Sequence, residues 1–327
     1  MNYFIVGGAG FVGSHLVITL LNEDKNNRVI VYDNFSSGKR WHLQEHDNDT
    51  RLRIIEDDVK NDKNLNQAMA GCDIVYHFAS NPDISKAVTQ PDIDFWEGTY
   101  LTNNVLEAMR INGIKKLFYA SGSGIYGDTA LTEVKEDHSP MLPISTYGAS
   151  KLACEALICS YCHMFDMSAT AFRFANVVGP HQTHGVGYDF VRRLMKDPSQ
   201  LNILGDGKQS KSYIYITDII TALKTLEKVS CSGFSFFNVS TKDNITVTEI
   251  ADLTVQIMGL KDVKYVYTGT DRGWKGDVPV VRLNSDKIRS LGWSNVYSTK
   301  QAIELSIRSI YNDSKENKFQ WDKKTAK

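Results

Sequence analysis

A short apolar run, Tyr3–Val6, passes directly into Gly7-Gly8-Ala9-Gly10-Phe11-Val12-Gly13, and a helix-like apolar pattern follows. Few features narrow a fold as sharply as a strand that turns on glycines into a helix. The glycines allow a tight turn and close approach to a ligand, and the N–H groups of the first helical turn face an anion such as a dinucleotide pyrophosphate. Gly7, Gly10, Phe11, Val12 and Gly13 are therefore candidate cofactor residues. The next apolar run, Arg28–Tyr32, ends at Asp33, twenty positions after Gly13. A carboxylate there can accept from both hydroxyls of an adenosine ribose. It would also repel a 2′-phosphate, so the predicted cofactor is NAD rather than NADP. Asn34, Ser36 and Gly38 in the following loop extend this set, and Asp58-Val59 at the end of the third run are placed against the adenine.

The rest of the first half keeps the same rhythm. Strands are predicted over Leu52–Ile55, Asp73–Phe78, Lys116–Ala120 and Ala169–Phe174. Helices are predicted over Asn64–Met69, Ile93–Asn112 and Tyr147–Met164. Strand alternating with helix at this spacing implies a parallel sheet covered on both faces, an α/β doubly wound architecture. After Asn176 the pattern becomes loop-rich, with Val178–Gly187, Asp206–Ser212 and Thr268–Asp277 rich in glycine and polar residues. The expectation is a cofactor domain over 1–176 with a return segment around 213–240, and a smaller α/β substrate lobe over 177–327. Lys315–Lys327, with five lysines, reads as a frayed tail.

Composition excludes some classes. A formal net charge of −1 over 327 residues gives no basic surface for nucleic acid. The five cysteines, Cys72, Cys154, Cys159, Cys162 and Cys231, form no regular framework and read as reduced thiols. Cys159-x-x-Cys162 lacks a second ligand pair, and His181-x-x-His184 lacks an acidic partner, so no metal is expected. The first strand begins at Asn2 or Tyr3, and the apolar run Leu16–Leu21 is too short to span a bilayer. The expected location is cytoplasmic.

The second constraining motif is Tyr147-Gly148-Ala149-Ser150-Lys151, which on a helix sets a phenol and an ammonium on one face. A free phenol titrates near 10, so a useful base at neutral pH needs a drop of roughly 3 units, about 4 kcal/mol. One nearby cation supplies ~1–3 units and the positive ring of an oxidised nicotinamide adds a second. Tyr147 and Lys151 are thus candidate catalytic residues that also face the cofactor. The preceding strand ends Tyr119-Ala120-Ser121-Gly122-Ser123-Gly124-Ile125-Tyr126-Gly127. Small hydroxyl residues at the carboxyl end of such a strand sit beside the cofactor.

With these residues in view, the chain resembles an extended short-chain dehydrogenase/reductase of the nucleotide-sugar epimerase branch, from Met1 to about Tyr311. Beyond the two motifs, the resemblance rests on Asp57-Asp58-Val59, Val75-Tyr76-His77-Phe78-Ala79, Ile125-Tyr126-Gly127, Phe172-Arg173-Phe174-Ala175-Asn176-Val177, Ile203-Leu204-Gly205-Asp206-Gly207 and Gly276-Asp277. It implies a Rossmann-type sheet with Phe78 and Ala79 at the cofactor. It also implies a homodimer formed through the helices around 94–112 and 147–164. The implied activity is UDP-hexose 4-epimerisation through a 4-keto sugar, on the N-acetylhexosamine pair, the glucose/galactose pair, or both. Another epimerase or reductase of the branch, or a non-catalytic nucleotide-sugar binder, remains open.

Departures from the family pattern are informative. The usual catalytic Ser or Thr is Gly122 here, and the acids used by dehydratases and decarboxylases are replaced by Ser123 and Gly124. Proton shuttling then falls to Tyr147 with help from Ser121, Ser123 or water. The asparagine usual in the long helix is Gly98. By resemblance Asn176, Lys211 and Arg272 meet the diphosphate and Asp277 a ribose, with His181 in a loop covering the substrate and Gly122 and Ser123 beside the sugar. Four residues after Asp277 the family carries a bulky aromatic where only unsubstituted hexoses are accepted. Val281 stands there, leaving room for a 2-acetamido group.

Overall fold

The computed structural model describes residues 1–316 except 131, 230, 231 and 270, together with 318 and 319. Cys231 and most of the lysine-rich tail lie outside the described residues. The first half contributes β1 (Asn2–Val6), α1 (Phe11–Glu23), β2 (Arg28–Asp33), β3 (Leu52–Glu56), α2 (Asp62–Met69), β4 (Ile74–His77), α3 (Tyr100–Ile111), β5 (Lys116–Gly122), α4 (Thr146–Phe165) and β6 (Ser168–Phe174). The second half adds β7 (Asn176–Val178), α5 (Val186–Lys196), β8 (Gln200–Ile203), β9 (Ser210–Lys211), β10 (Tyr213–Tyr215), α6 (Ile216–Glu227) and β11 (Phe234–Val239). It closes with β12 (Ile245–Thr246), α7 (Val247–Met258), β13 (Lys264–Tyr267), β14 (Val280–Val281), α8 (Asp286–Arg289) and α9 (Thr299–Lys315).

Seven strands form one parallel sheet in the order β11-β6-β5-β4-β1-β2-β3. The order reverses at β1, and ligands of open α/β sheets bind at such a reversal, beyond the carboxyl ends of the strands. Alternation along β1 feeds both faces. Tyr3 and Ile5 pack with Leu16 and Leu20 of α1 and Ile219 and Leu223 of α6. Phe4 and Val6 pack with Leu65, Val105, Cys154 and Ile158 of the opposite helices. Burial on both sides explains why these strands read as unbroken apolar runs.

The helix predicted over Ile93–Asn112 is interrupted. Phe95–Thr99 forms a π-turn before α3 begins at Tyr100. The C-terminal lobe has its own core, in which Phe190, Leu194, Ile250, Ile303 and Ile307 meet beneath two small sheets, β8–β13 and β12–β9–β14. Cys72, Cys154, Cys159 and Cys162 are free thiols. Among the described residues no helix is long and apolar enough to cross a membrane.

Candidate active site

Gly7 adopts φ +77°, and a Cβ there would stand 2.7 Å from the backbone nitrogen of Ala79. A Cβ on Gly13 would collide with the carbonyl of Gly7. The turn between β1 and α1 is therefore pressed against the end of β4, where the Phe78 N–H donates to the Val6 carbonyl at 2.9 Å. Gly10 caps α1 without a side-chain hydrogen bond, so the N–H groups of Phe11, Val12 and Gly13 open the helix with no side-chain cap among the described residues. Asp33 sits beside this turn, 8% exposed, accepting from the Ala9 N–H at 2.9 Å and the Phe35 N–H at 2.8 Å. Burial pushes its carboxyl above the ordinary carboxylate range, opposed by those backbone bonds. Asn34 donates to Asp58 at 2.9 Å and accepts from the Ser36 N–H at 3.0 Å. Gly38 packs on Asp33 and Ala9, and Val59 is buried nearby, its carbonyl held by Asn104. The predicted adenosine residues thus gather at the ends of β2 and β3.

Ser145 caps α4 by accepting from the Gly148 N–H, which places Tyr147 in the first turn and Lys151 in the next. Lys151 is 4% exposed, and its ammonium donates to the Ala120 carbonyl at 2.7 Å. It lies 4.9 Å from the Tyr119 ring centre and 5.5 Å from that of Tyr147. The ammonium thus stands beside both rings, tied to the end of β5. His77, fully buried with Lys151 nearby, is pushed down to about 3 by burial first and that charge second.

On the lobe side Lys211 donates to Asp277 at 2.6 Å, and the Gly273 N–H donates to the other carboxylate oxygen at 3.1 Å. Arg272 donates to the Asp277 carbonyl at 2.7 Å and to Asp128 at 2.6 Å. The guanidinium holds the Asp128 carboxyl below its usual range. Gly276 approaches so closely that a Cβ there would be 3.2 Å from the Cβ of Ser145, bringing this loop onto the cap of α4. The expected nucleotide residues Lys211, Arg272 and Asp277 therefore share one cluster beside the Tyr147 turn. Asp128 is an addition; its only signal in sequence is its place after Ile125-Tyr126-Gly127. Val281 pairs with Lys211 across β14 and β9 and packs, half-buried, against the apolar cluster of the first face. Asn176 donates to the Ser212 carbonyl at 3.3 Å.

Residues 3–233 match the family described as Epimerase, the NAD dependent epimerase/dehydratase family. The chain belongs to this family. A solved UDP-galactose 4-epimerase is 33% identical with a TM-score of 0.82, covering 96% of this chain and 99% of that one. The UDP-glucose 4-epimerase of Thermus thermophilus, solved with NAD, is 28% identical with a TM-score of 0.83, over 95% of this chain and 99% of that one. UDP-glucose 4-epimerase of Corynebacterium glutamicum is 28% identical over 322 residues, 93% of each chain. The chain is thus an isomerase of the nucleotide-sugar 4-epimerase branch, with NAD as cofactor. The glycine cradle that a Cβ would fill, the open start of α1 and the buried Asp33 fit that group.

Two of the expected site residues of this epimerase are engaged by neighbouring side chains. Ser121, expected beside the cofactor to help Tyr147 with the proton, is 5% exposed and donates to Glu155 at 2.5 Å. Its hydroxyl is thus engaged below the sheet edge, whereas Ser123 is half-buried. His181, expected over the substrate, adopts φ +67° and bonds Ser14 at 3.0 Å through Nδ1. Its ring stacks on His42 at 4.5 Å and tilts against His15 at 4.7 Å, and burial pushes it down to about 3. It knits α1 to the loop after β7.

Gly122 has φ −167° and ψ 168°, extended backbone open to any residue, and a Cβ there meets nothing within 4 Å. Gly122→Ser should therefore leave stability within about 0.5 kcal/mol of wild type and keep or raise turnover on UDP-glucose. Melting temperature and initial rate check this; a clear drop in melting temperature would contradict it.

Proposed function

We propose that this epimerase interconverts UDP-sugars differing at C4 through a 4-keto intermediate, and that the N-acetylhexosamine pair is among its substrates. The observation that carries the reading is the buried Lys151 ammonium fixed 5.5 Å from the Tyr147 ring at the carboxyl edge of the sheet. Tyr147 is the proton acceptor and donor at the sugar O4, and Lys151 holds its phenolate. Bound NAD supplies the acceptor and donor for the C4 hydride. Ser123 and Gly124 offer no acid for elimination, which favours epimerisation within a family that also contains dehydratases. Lys211, Arg272 and Asp277 grip the nucleotide while the small residues Gly122 and Gly124 leave the 4-keto sugar free to turn over. The same loose pocket reads as one of a homodimer paired through segments 94–112 and 147–164, where Phe95, Trp96 and Met164 are exposed.

The test uses Val281. A 2-acetamido group adds about three heavy atoms, which a close-packed wall absorbs only with ~1–3 kcal/mol of strain. Wild-type protein should turn over UDP-GalNAc at least comparably to UDP-Gal. Val281→Tyr should cut the N-acetyl reaction ten- to a hundredfold, a loss of ~1.4–2.7 kcal/mol, with little change on UDP-Gal. Equal loss on both substrates would make Val281 a packing residue only.

A further inference from the structure

Asp94 lies just before the π-turn and is 1% exposed, yet two neutral donors from distant segments hold its carboxylate. The Asn81 amide donates to Oδ1 at 2.8 Å, and the Thr146 hydroxyl donates to Oδ2 at 2.6 Å. Asn81 is two residues beyond Ala79 on the cofactor side of the cleft, and Thr146 immediately precedes Tyr147. The backbone of Asp94 is engaged as well, because the Ser150 hydroxyl donates to its carbonyl at 2.7 Å. That hydroxyl also lies 2.9 Å from the Thr99 hydroxyl, at the far end of the π-turn. A Cβ on Gly98 would collide with the Ser150 oxygen. The departure at Gly98 is thus coupled to Ser150, and the hydroxyl occupies the space a side chain at 98 would need.

A buried carboxylate held by neutral donors costs more than an apolar side chain of similar size. What it supplies is direction, since both oxygens fix donors on separate elements. We propose that Asp94 is a positioning residue for the reaction, its carboxylate locking the first turn of α4, and with it the Tyr147 phenol, to the cofactor-side loop after β4. The proposal rests on the reading of Tyr147 as proton acceptor. Misplacing a reacting group by about 1 Å can cost on the order of 10²-fold in rate.

Thr146 is itself exposed, so its substitution loses little packing, and the cost falls on the buried Asp94 carboxylate, which then lacks one donor. The experiment compares Thr146→Val, Thr146→Ser and Tyr147→Phe for kcat, KM and melting temperature on a UDP-hexose. Thr146→Val should lower kcat at least about tenfold, with KM within about twofold and a fall in melting temperature on the order of a few degrees from the donor lost to Asp94. Thr146→Ser, which keeps the hydroxyl, should restore most of the rate. Thr146→Val turning over near the wild-type rate, or a loss that Thr146→Ser does not recover, would overturn the proposal. An active Tyr147→Phe would remove the proton-acceptor reading and this proposal with it. An inactive Tyr147→Phe beside a fully active Thr146→Val would remove the proposal alone.

Discussion

Tyr147→Phe should lower epimerase turnover by roughly 10²–10⁴-fold, the range general acid–base catalysis contributes, while UDP-sugar affinity stays nearly unchanged. The substitution deletes one oxygen from a ring that is only half-buried, so packing is little disturbed. On the proposed reading the oxygen lost is the one that takes the O4 proton, and that loss appears in the transition state rather than in the ground-state complex. Lys151 remains, tethered to the Ala120 carbonyl and now facing a ring with nothing to stabilise. Steady-state rates, with calorimetric binding of UDP-glucose, check the split. A variant retaining more than a tenth of the rate would place the base elsewhere.

A comparable effect on stability is expected from Arg173→Met. Arg173 is 2% exposed and donates to Glu155 through Nε at 3.1 Å and through a terminal nitrogen at 2.7 Å. It also donates to the Tyr126 hydroxyl at 2.8 Å and the Glu136 carbonyl at 2.9 Å. Removing the cation leaves Glu155, itself 3% exposed, with Ser121 as its remaining hydrogen-bond donor among the described residues. Breaking a buried pair by removing one partner typically costs about 3–5 kcal/mol, because an uncompensated charge stays in a low-dielectric interior. Denaturant unfolding should show a loss of about that size. The double variant Glu155→Met/Arg173→Met should recover part of it, since both charges are then gone. A single variant losing less than about 1 kcal/mol would mean that water reaches Glu155.

Which parts of the site are legible in sequence follows from how far apart the partners are. Gly7 to Gly13, Asp33 at the end of the next strand, and Tyr147 with Lys151 are local patterns, so their spacing along the chain dictates their spacing in space. The Ser121–Glu155 bond is not legible in sequence because a strand alternates its faces. The Ser121 side chain points with Tyr119 toward α4, and its partner Glu155 lies thirty-four residues on. His181 meets His15 and His42 only because three distant segments converge. The Asp128–Arg272 pair spans 144 residues. The π-turn at Phe95–Thr99 escapes for a related reason. Apolar periodicity runs on through it, and the Ser150 hydroxyl that packs against Gly98 and bonds the Asp94 carbonyl lies in another helix.

The sheet is also finished out of sequence order. β11 pairs with β6 along six residues, from Phe234 against Ala169 to Val239 against Phe174, and α6 just before it covers the face carrying Leu16 and Phe172. When a ribosome has released only the residues through Asn176, β6 is a bare edge lined with unpaired N–H and C=O groups, and one side of the central core is uncovered. The chain through Asn176 therefore lacks the strand that completes its sheet. That strand emerges about sixty residues later, and until then the nascent chain carries an edge that invites pairing with a neighbour.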